Sequence, residues 1–254
     1  MTSRTTTAAM PAIAGGVPAL RPIRWLQRGW SDMTRHPGPS LAYGLIVTTI
    51  GLLVLSFGNH PYFVAAAVTG FLLIGPILST GPCELSRRAA AGEATGFEAS
   101  LTPLTRNREG LTRFAALLLA VGAIWFGVST LLLSWTFGDA VPATTTVMWG
   151  DALASATAAQ WLSYLSAGGA LAVLVFALSV VAVPLLVARA DTDAGDAMRA
   201  SLAACGRNLP AAAVWALLIA ALVAVGFATL LLALVVIFPL LGHATWHAYR
   251  DLTD

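Results

Sequence analysis

The chain has 254 residues, of which 57% are hydrophobic and only 10% are charged. Soluble domains carry about a quarter charged residues, so this composition excludes a water-soluble domain and predicts a protein that lies in lipid. The formal net charge of +2 says little, but the placement of the basic residues is informative. All 14 of them are arginines, grouped at 4–35, 87–113, 189–207 and 250.

The first 20 residues contain scattered Pro and Gly and no continuous apolar core. We expect a disordered tail over 1–20 and not a cleaved signal peptide, which would need an unbroken apolar segment. The remainder, 21–254, is predicted to form a single transmembrane domain. Cys83 and Cys205 both lie in arginine-bearing segments, where reducing cytoplasmic conditions disfavour a disulfide.

Long apolar runs without charge are typical of membrane-spanning helices. The predicted spans are about 40–57, 62–81, 113–137, 161–187, 209–226 and 228–247. The last two share one uncharged run, 211–241, which as a single helix would be about 46 Å long at 1.5 Å per residue. The hydrocarbon core is about 30 Å thick, so we favour two spans with a turn near Gly226 and Thr229. One overlong span is the alternative.

With six spans, every arginine falls on one side of the membrane. The other side has Asn59, His60, Asp139 and Asp151 and no arginine. Basic residues concentrate on the cytoplasmic side of membrane proteins. The distribution therefore predicts a multi-pass protein of the bacterial cytoplasmic (inner) membrane with both termini in the cytoplasm.

Three of the arginine-bearing segments share a spacing, in which large apolar residues lie nine and five positions before an arginine. The segments are Leu26, Trp30, Arg35, His36; Phe97, Leu101, Arg106, Asn107; and Met198, Leu202, Arg207, Asn208. A helix breaker follows each one, at Pro37, Gly110 and Pro210, and the even-numbered spans carry Pro76, Pro184 and Pro239. Apolar residues four apart share a helix face, so each segment predicts a short amphipathic helix on the membrane surface. The predicted fold is all-α: three helical hairpins, each preceded by an interfacial helix, as an internal repeat.

The segment GHATWHAYRD, 242–251, raises the question of a ligand site. Histidines four apart on one helix face can bind one ion, and aligning the hairpins on their prolines places Glu84 opposite His247. A metal site of His243, His247 and Glu84 is one hypothesis. The alternative is structural, with His247 hydrogen-bonded to Glu84, and the sequence does not identify a cofactor. We expect Arg35, Arg106, Arg207, Trp246 and Tyr249 to lie at the lipid head groups.

The sequence contains no catalytic constellation, no phosphate-binding loop and no predicted span with a charge at its centre. Ion-coupled transporters carry such charges. We therefore expect a non-enzymatic protein that acts as an interaction or assembly partner of other membrane proteins in the bilayer and does not bind nucleic acid. The alternatives are a transporter or channel for a small neutral solute, and a protein that handles metal or haem through the C-terminal histidine pair.

Several segments together resemble an uncharacterised family of bacterial integral membrane proteins, the domain of unknown function 2189. They are RWLQRGWSDMTRHPGPSLAYGL at 24–45, FLLIGPILSTGPCELSRRAAAGE at 71–93, ALSVVAVPLL at 177–186, RNLPAAAVWALLIA at 207–220 and GFATLLLALVVIFPLLGHATWHAYRDL at 226–252. The resemblance implies a multi-span inner-membrane protein with no established activity. Some members are labelled as cytochrome oxidase subunits, but one histidine pair cannot supply an oxidase's haem and copper ligands.

Overall fold

The computed structural model describes residues 11–56, 75–137 and 157–253, and these are helical apart from their connecting segments. No strand occurs in the described residues, in agreement with the all-α prediction. The helices are α1 Arg21–Arg35, α2 Pro37–Ser56, α3 Thr80–Ala91, α4 Phe97–Ser100, α5 Pro103–Arg106, α6 Arg108–Phe137, α7 Ala158–Ser179, α8 Ala182–Ala188, α9 Ala194–Arg207, α10 Leu209–Ala228 and α11 Leu234–Thr253.

Four helical stretches of the described chain are long and apolar enough to cross a membrane. They are Pro37–Ser56, Arg108–Leu132, Leu162–Ala188 and Leu209–Ala228. They correspond to four of the six predicted spans. Most of the second span, and the polar segment predicted on the far side of the membrane at 138–156, lie outside the described residues. The chain is thus an integral membrane protein with several apolar helices.

The uncharged run 211–241 is divided between α10 and α11 by a turn over 229–233. Leu230 and Leu231 adopt positive φ angles of 53° and 67° in this turn, a conformation that non-glycine residues rarely adopt. Leu231 is almost fully buried, and its carbonyl accepts a 3.3 Å hydrogen bond from Thr48 Oγ1 of α2. Burial of one leucine therefore holds the strained turn against a neighbouring helix.

Three junctions between a short helix and a long one have the same geometry. His36, Asn107 and Asn208 are the single residues between α1 and α2, α5 and α6, and α9 and α10. Their backbone angles are φ −132° and ψ 61°, φ −128° and ψ 55°, and φ −129° and ψ 40°. In each case the carbonyl of the junction residue accepts the N–H four residues later, so the second helix begins at once.

Helix α11 lies at the centre of one end of the molecule and packs against α1, α2 and α3. Glycines permit the close approach on all three sides. A Cβ added to Gly29 of α1 would lie 2.7 Å from the Ala244 nitrogen, and one added to Gly242 would lie 2.7 Å from Pro82 Cβ of α3. A Cβ at Gly44 of α2 would collide with the backbone of Val235.

The segment 11–20 is not a free tail, contrary to the expectation for residues 1–20. Ala14 donates its N–H to the Leu252 carbonyl at 3.0 Å. Asn208 binds the same segment twice, accepting from the Val17 N–H at 3.0 Å and donating to the Ala14 carbonyl at 2.9 Å. The side chain of a junction residue thus fixes a stretch whose composition alone indicates disorder. Residues 1–10 lie outside the described part of the chain.

Candidate functional site

The histidine of the GHATWH segment that lies deepest, His243, is fully buried between two serine hydroxyls. Its Nε2 lies 2.9 Å from Ser40 Oγ at the start of α2, and its Nδ1 lies 2.8 Å from Ser86 Oγ of α3. Ser40 is also fully buried, and Ser86 is nearly so. Both ring nitrogens are therefore occupied by hydrogen bonds to two different helices.

A carboxylate of α1 extends this chain of hydrogen bonds toward the surface. Asp32 Oδ2 accepts from Ser86 Oγ at 2.7 Å and lies 2.8 Å from His247 Nε2. Burial raises the pKa of Asp32, but the hydrogen bonds from His247 and Ser86 outweigh this and leave it below the ordinary value. Asp32 is therefore an anion that joins α1, α3 and α11.

Each serine that flanks His243 also donates to an oxygen acceptor of its own. Ser86 Oγ–H donates to Asp32 Oδ2 at 2.7 Å, and Ser40 Oγ–H donates to the His36 carbonyl at 2.7 Å. The serine, imidazole and carboxylate resemble the order of groups in a hydrolytic triad. Because Ser40 and His243 are completely buried, no substrate carbonyl can reach Ser40 Oγ in this conformation.

A second buried carboxylate, Glu84 of α3, is surrounded by three arginines. Arg87 binds it through Nε at 2.7 Å and Nη2 at 3.0 Å, and Arg88 Nε lies at 2.9 Å. Arg106 of α5 adds a contact of 2.6 Å from Nη2. Glu84 is fully buried, whereas the arginine side chains are 18–23% exposed. The cluster compensates a buried charge and ties α3 to the second junction.

The third carboxylate of this end, Asp251, lies on the last turn of α11. It accepts from Arg21 Nε at 2.5 Å and from Trp25 Nε1 at 2.8 Å, and Arg28 Nη1 lies at 3.4 Å. Burial raises the pKa of Asp251, but the bonds from Arg21 and Trp25 outweigh it and keep the pKa below its ordinary value. Asp251 therefore fastens α11 along the length of α1.

The residues proposed as metal ligands do not converge. His243 is bonded to serines, His247 to Asp32, and Glu84 to arginines in place of the expected His247. Among the described residues no group of three or more His, Cys, Asp or Glu side chains is arranged to hold a metal ion. These side chains are used in hydrogen bonds and ion pairs within the protein, which gives no support to the metal hypothesis.

The residues expected at the lipid head groups occupy different environments. Trp246 and Tyr249 are 6% and 8% exposed, and their rings lie 5.4 Å apart inside the protein. Arg106 is drawn to Glu84, and Arg207 donates to the Ile13 carbonyl at 3.0 Å. Arg35 lies on the surface. The aromatic pair is interior because α11 is covered by its neighbours, which the hydropathy pattern of a single helix cannot show.

Three residues of the polar network were not singled out from the sequence: Asp32, Ser40 and Ser86. A signal for Asp32 exists, because it lies on the face of α1 that carries Trp25 and Gly29, at spacings of seven and three. A carboxylate on the buried face of an amphipathic helix requires a partner. The serines give no comparable signal, since serine is common in membrane helices.

The apolar helices agree with what comparison with known proteins finds. The sequence profile of a family described as "Predicted integral membrane protein (DUF2189)" matches residues 63–188. The matched region is narrower than the resemblance over 24–252. Neither curated proteins nor solved structures give a match. Through residues 63–188 the chain belongs to the DUF2189 family of predicted integral membrane proteins.

Proposed function

We propose that the protein is a non-enzymatic assembly partner of other proteins in the bacterial inner membrane. The observation that carries this proposal is that the buried ionisable groups bind other side chains of the same chain. The described carboxylates and imidazoles at the end of α11 bind side chains of this chain on neighbouring helices, at 2.5–3.0 Å. Groups bound in this way hold helices together and are not available to a substrate.

The proposal includes three hairpin units, with the second hairpin helices α3, α8 and α11 in contact. The junction residues support a cyclic order of units. His36 of the first unit lies 2.9 Å from Thr95, in the segment before the second unit. Asn107 donates to the carbonyls of Arg189 and Thr192, before the third unit. Asn208 of the third unit binds the segment before the first.

The proposed topology has six spans and both termini in the cytoplasm. Contacts between the arginine-bearing segments support it. Arg21 is bonded to Asp251, and Arg113 Nη1 to Asp193 at 2.7 Å. Each pair joins two segments that the arginine distribution places on the same side. Labelling of single cysteines at 59 and at the exposed position 250, in a variant without Cys83 and Cys205, tests this in intact cells, with only position 59 expected to react from outside.

Site-specific photocrosslinking tests the assembly role. The outward-facing Leu119 of α6 and Leu217 of α10 are 66% and 70% exposed, and each can be replaced by a photoreactive residue. We expect at least one position to give a discrete product with another membrane protein in native membranes. The matched control is the same variant irradiated after dilution into detergent. Lipid adducts alone at both positions, with no protein product, would contradict the proposal.

A further inference from the structure

The exposed face of α1 has an apolar edge and a basic edge. Successive residues of a helix are about 100° apart, so Ile23 and Trp30, seven apart, share one edge. Arg24, Arg28 and Arg35 share the other. The side chains of Ile23 and Trp30 are 45% and 50% exposed, and Arg24 and Arg35 also lie on the surface. A large indole on the surface beside a row of guanidiniums is typical of a helix at the membrane interface.

Of the three arginines on the basic edge, Arg28 alone lies near a carboxylate of the described residues. Arg28 is 47% exposed and reaches Asp251 only at 3.4 Å. Within the described residues no carboxylate lies within 4.0 Å of Arg24 or Arg35. The acid of α1 itself, Asp32, is buried on the opposite face with His247. The exposed face of α1 is therefore cationic.

The position of α1 is fixed relative to α2. Only His36 separates the two helices, and α2, Pro37–Ser56, is one of the helices able to cross a membrane. Hydrogen bonds to Asp251 and His247 of α11 hold the other face of α1. The amphipathic helix is thus held at the end of a helix that is long and apolar enough to cross a membrane.

We propose that this face of α1 is a binding surface for anionic phospholipid head groups. Arg24, Arg28 and Arg35 contact the phosphates, and Ile23 and Trp30 enter the apolar boundary beside them. Guanidinium groups bind phosphate oxygens through paired charge-assisted hydrogen bonds. This inference rests on the proposed membrane topology. It concerns binding of a lipid, whereas the proposed assembly role concerns binding of another protein.

Lipid binding to the purified full-length chain in detergent tests the surface. Native mass spectrometry measures the binding of phosphatidylglycerol, phosphatidylcholine and inorganic phosphate to the wild type and to the Arg24→Gln/Arg35→Gln variant. A basic side chain near an anionic surface contributes about fivefold, so the variant should lose roughly 25-fold in its preference for phosphatidylglycerol. Arg113→Gln/Arg199→Gln is the matched control, because it removes two surface arginines that already bind carboxylates.

A second measurement places Trp30 at the lipid boundary. Lipids brominated near the head group should quench the tryptophan fluorescence of the wild type more than that of Trp30→Phe. The Arg113→Gln/Arg199→Gln control should be quenched as much as the wild type. Equal affinity of the wild type for the two phospholipids would overturn the proposal. An equal loss of the preference for phosphatidylglycerol in the test and control variants would also overturn it. Inorganic phosphate that binds as strongly as phosphatidylglycerol would do the same. Crosslinking at Leu119 and Leu217 does not depend on these outcomes. A failure of the lipid experiments would therefore not contradict the proposed assembly role.

Discussion

Replacing Glu84 by glutamine should destabilise the protein strongly. Glutamine keeps the shape of the side chain but removes the charge at the centre of three arginines. Four hydrogen bonds of 2.6–3.0 Å from Arg87, Arg88 and Arg106 end on this carboxylate. After the substitution one amide oxygen remains as an acceptor, and the amide NH₂ points at guanidinium donors.

The size of the effect follows from the burial of the two partners. Removing one partner of a buried ion pair costs about 3–5 kcal/mol, because the remaining charge lacks a counterion. Glu84 is fully buried, but its arginines are 18–23% exposed, so water relieves part of the repulsion. We therefore expect a loss near the lower limit, about 3 kcal/mol. At roughly 2–4 °C per kcal/mol for a chain of this size, Tm should fall by about 6–12 °C.

The two cysteines supply the assay. Both are free and buried, so a thiol-reactive dye reports their exposure during thermal unfolding in detergent. Burial, with a smaller contribution from the Glu84 charge, raises the pKa of Cys83, and burial raises that of Cys205 to about 11. The folded protein should therefore react slowly. Glu109→Gln, which removes a 78% exposed carboxylate from an i,i+4 pair, is the control and should leave Tm unchanged.

A Tm of Glu84→Gln within 2 °C of the wild type would contradict a stabilising role for the Glu84 charge. A double variant then distinguishes the causes. When Arg106→Gln is added to Glu84→Gln, the combined loss should be smaller than the sum of the two single losses, because the two groups interact directly. Additive losses would show that Glu84 acts through packing and not through its charge.

Three further substitutions test other parts of the fold by thermal unfolding in detergent, followed with the thiol dye at neutral pH and by circular dichroism at acid pH, where thiols are protonated and unreactive. The folded pKa of Asp32 is lowered, so its contribution to stability is complete above its ordinary pKa of about 4 and is lost as the pH falls through the folded value; Asp32→Asn should flatten this acid limb of a Tm-against-pH curve, and an unchanged limb would contradict it. Gly44→Ala should cost about 1–3 kcal/mol because its Cβ meets the Val235 backbone, and Gly38→Ala, where space is open, is its control. Leu230→Gly should raise Tm, since Leu230 has a positive φ and is 44% exposed; a lower Tm would show that its side chain matters more than the strain.

Hydropathy and residue spacing predicted the elements of this fold better than their contacts. The 31-residue run at 211–241 was too long for one span, and the chain breaks there, at 229–233 and slightly later than Gly226 suggested. The spacing around Arg35, Arg106 and Arg207 located three helical segments and the junctions after them, although the middle segment is divided into α4 and α5 where one helix was predicted. These are local properties, fixed by periodicity and by residues that end helices.

Partners across helices could not be predicted, because a single sequence does not give the packing order. Alignment on the prolines paired Glu84 with His247, but Glu84 lies among arginines and His247 beside Asp32. Trp246 was expected at the lipid boundary because tryptophan favours that position. It is interior because α1, α2 and α3 surround α11.

The position of the polar contacts explains why two histidines occur near the C-terminus. In the proposed cyclic order, peptide segments join the first unit to the second and the second to the third, whereas the third meets the first without a linker. That joint brings together residues such as Ser40 and His243, 203 positions apart, and Arg21 and Asp251, 230 apart. The entropy cost of closing a loop grows with its length, so this joint needs the most stabilising contacts. The hydrogen bonds of His243, His247 and Asp251 all lie there, so in the proposed order GHATWHAYRD fastens the third unit to the first.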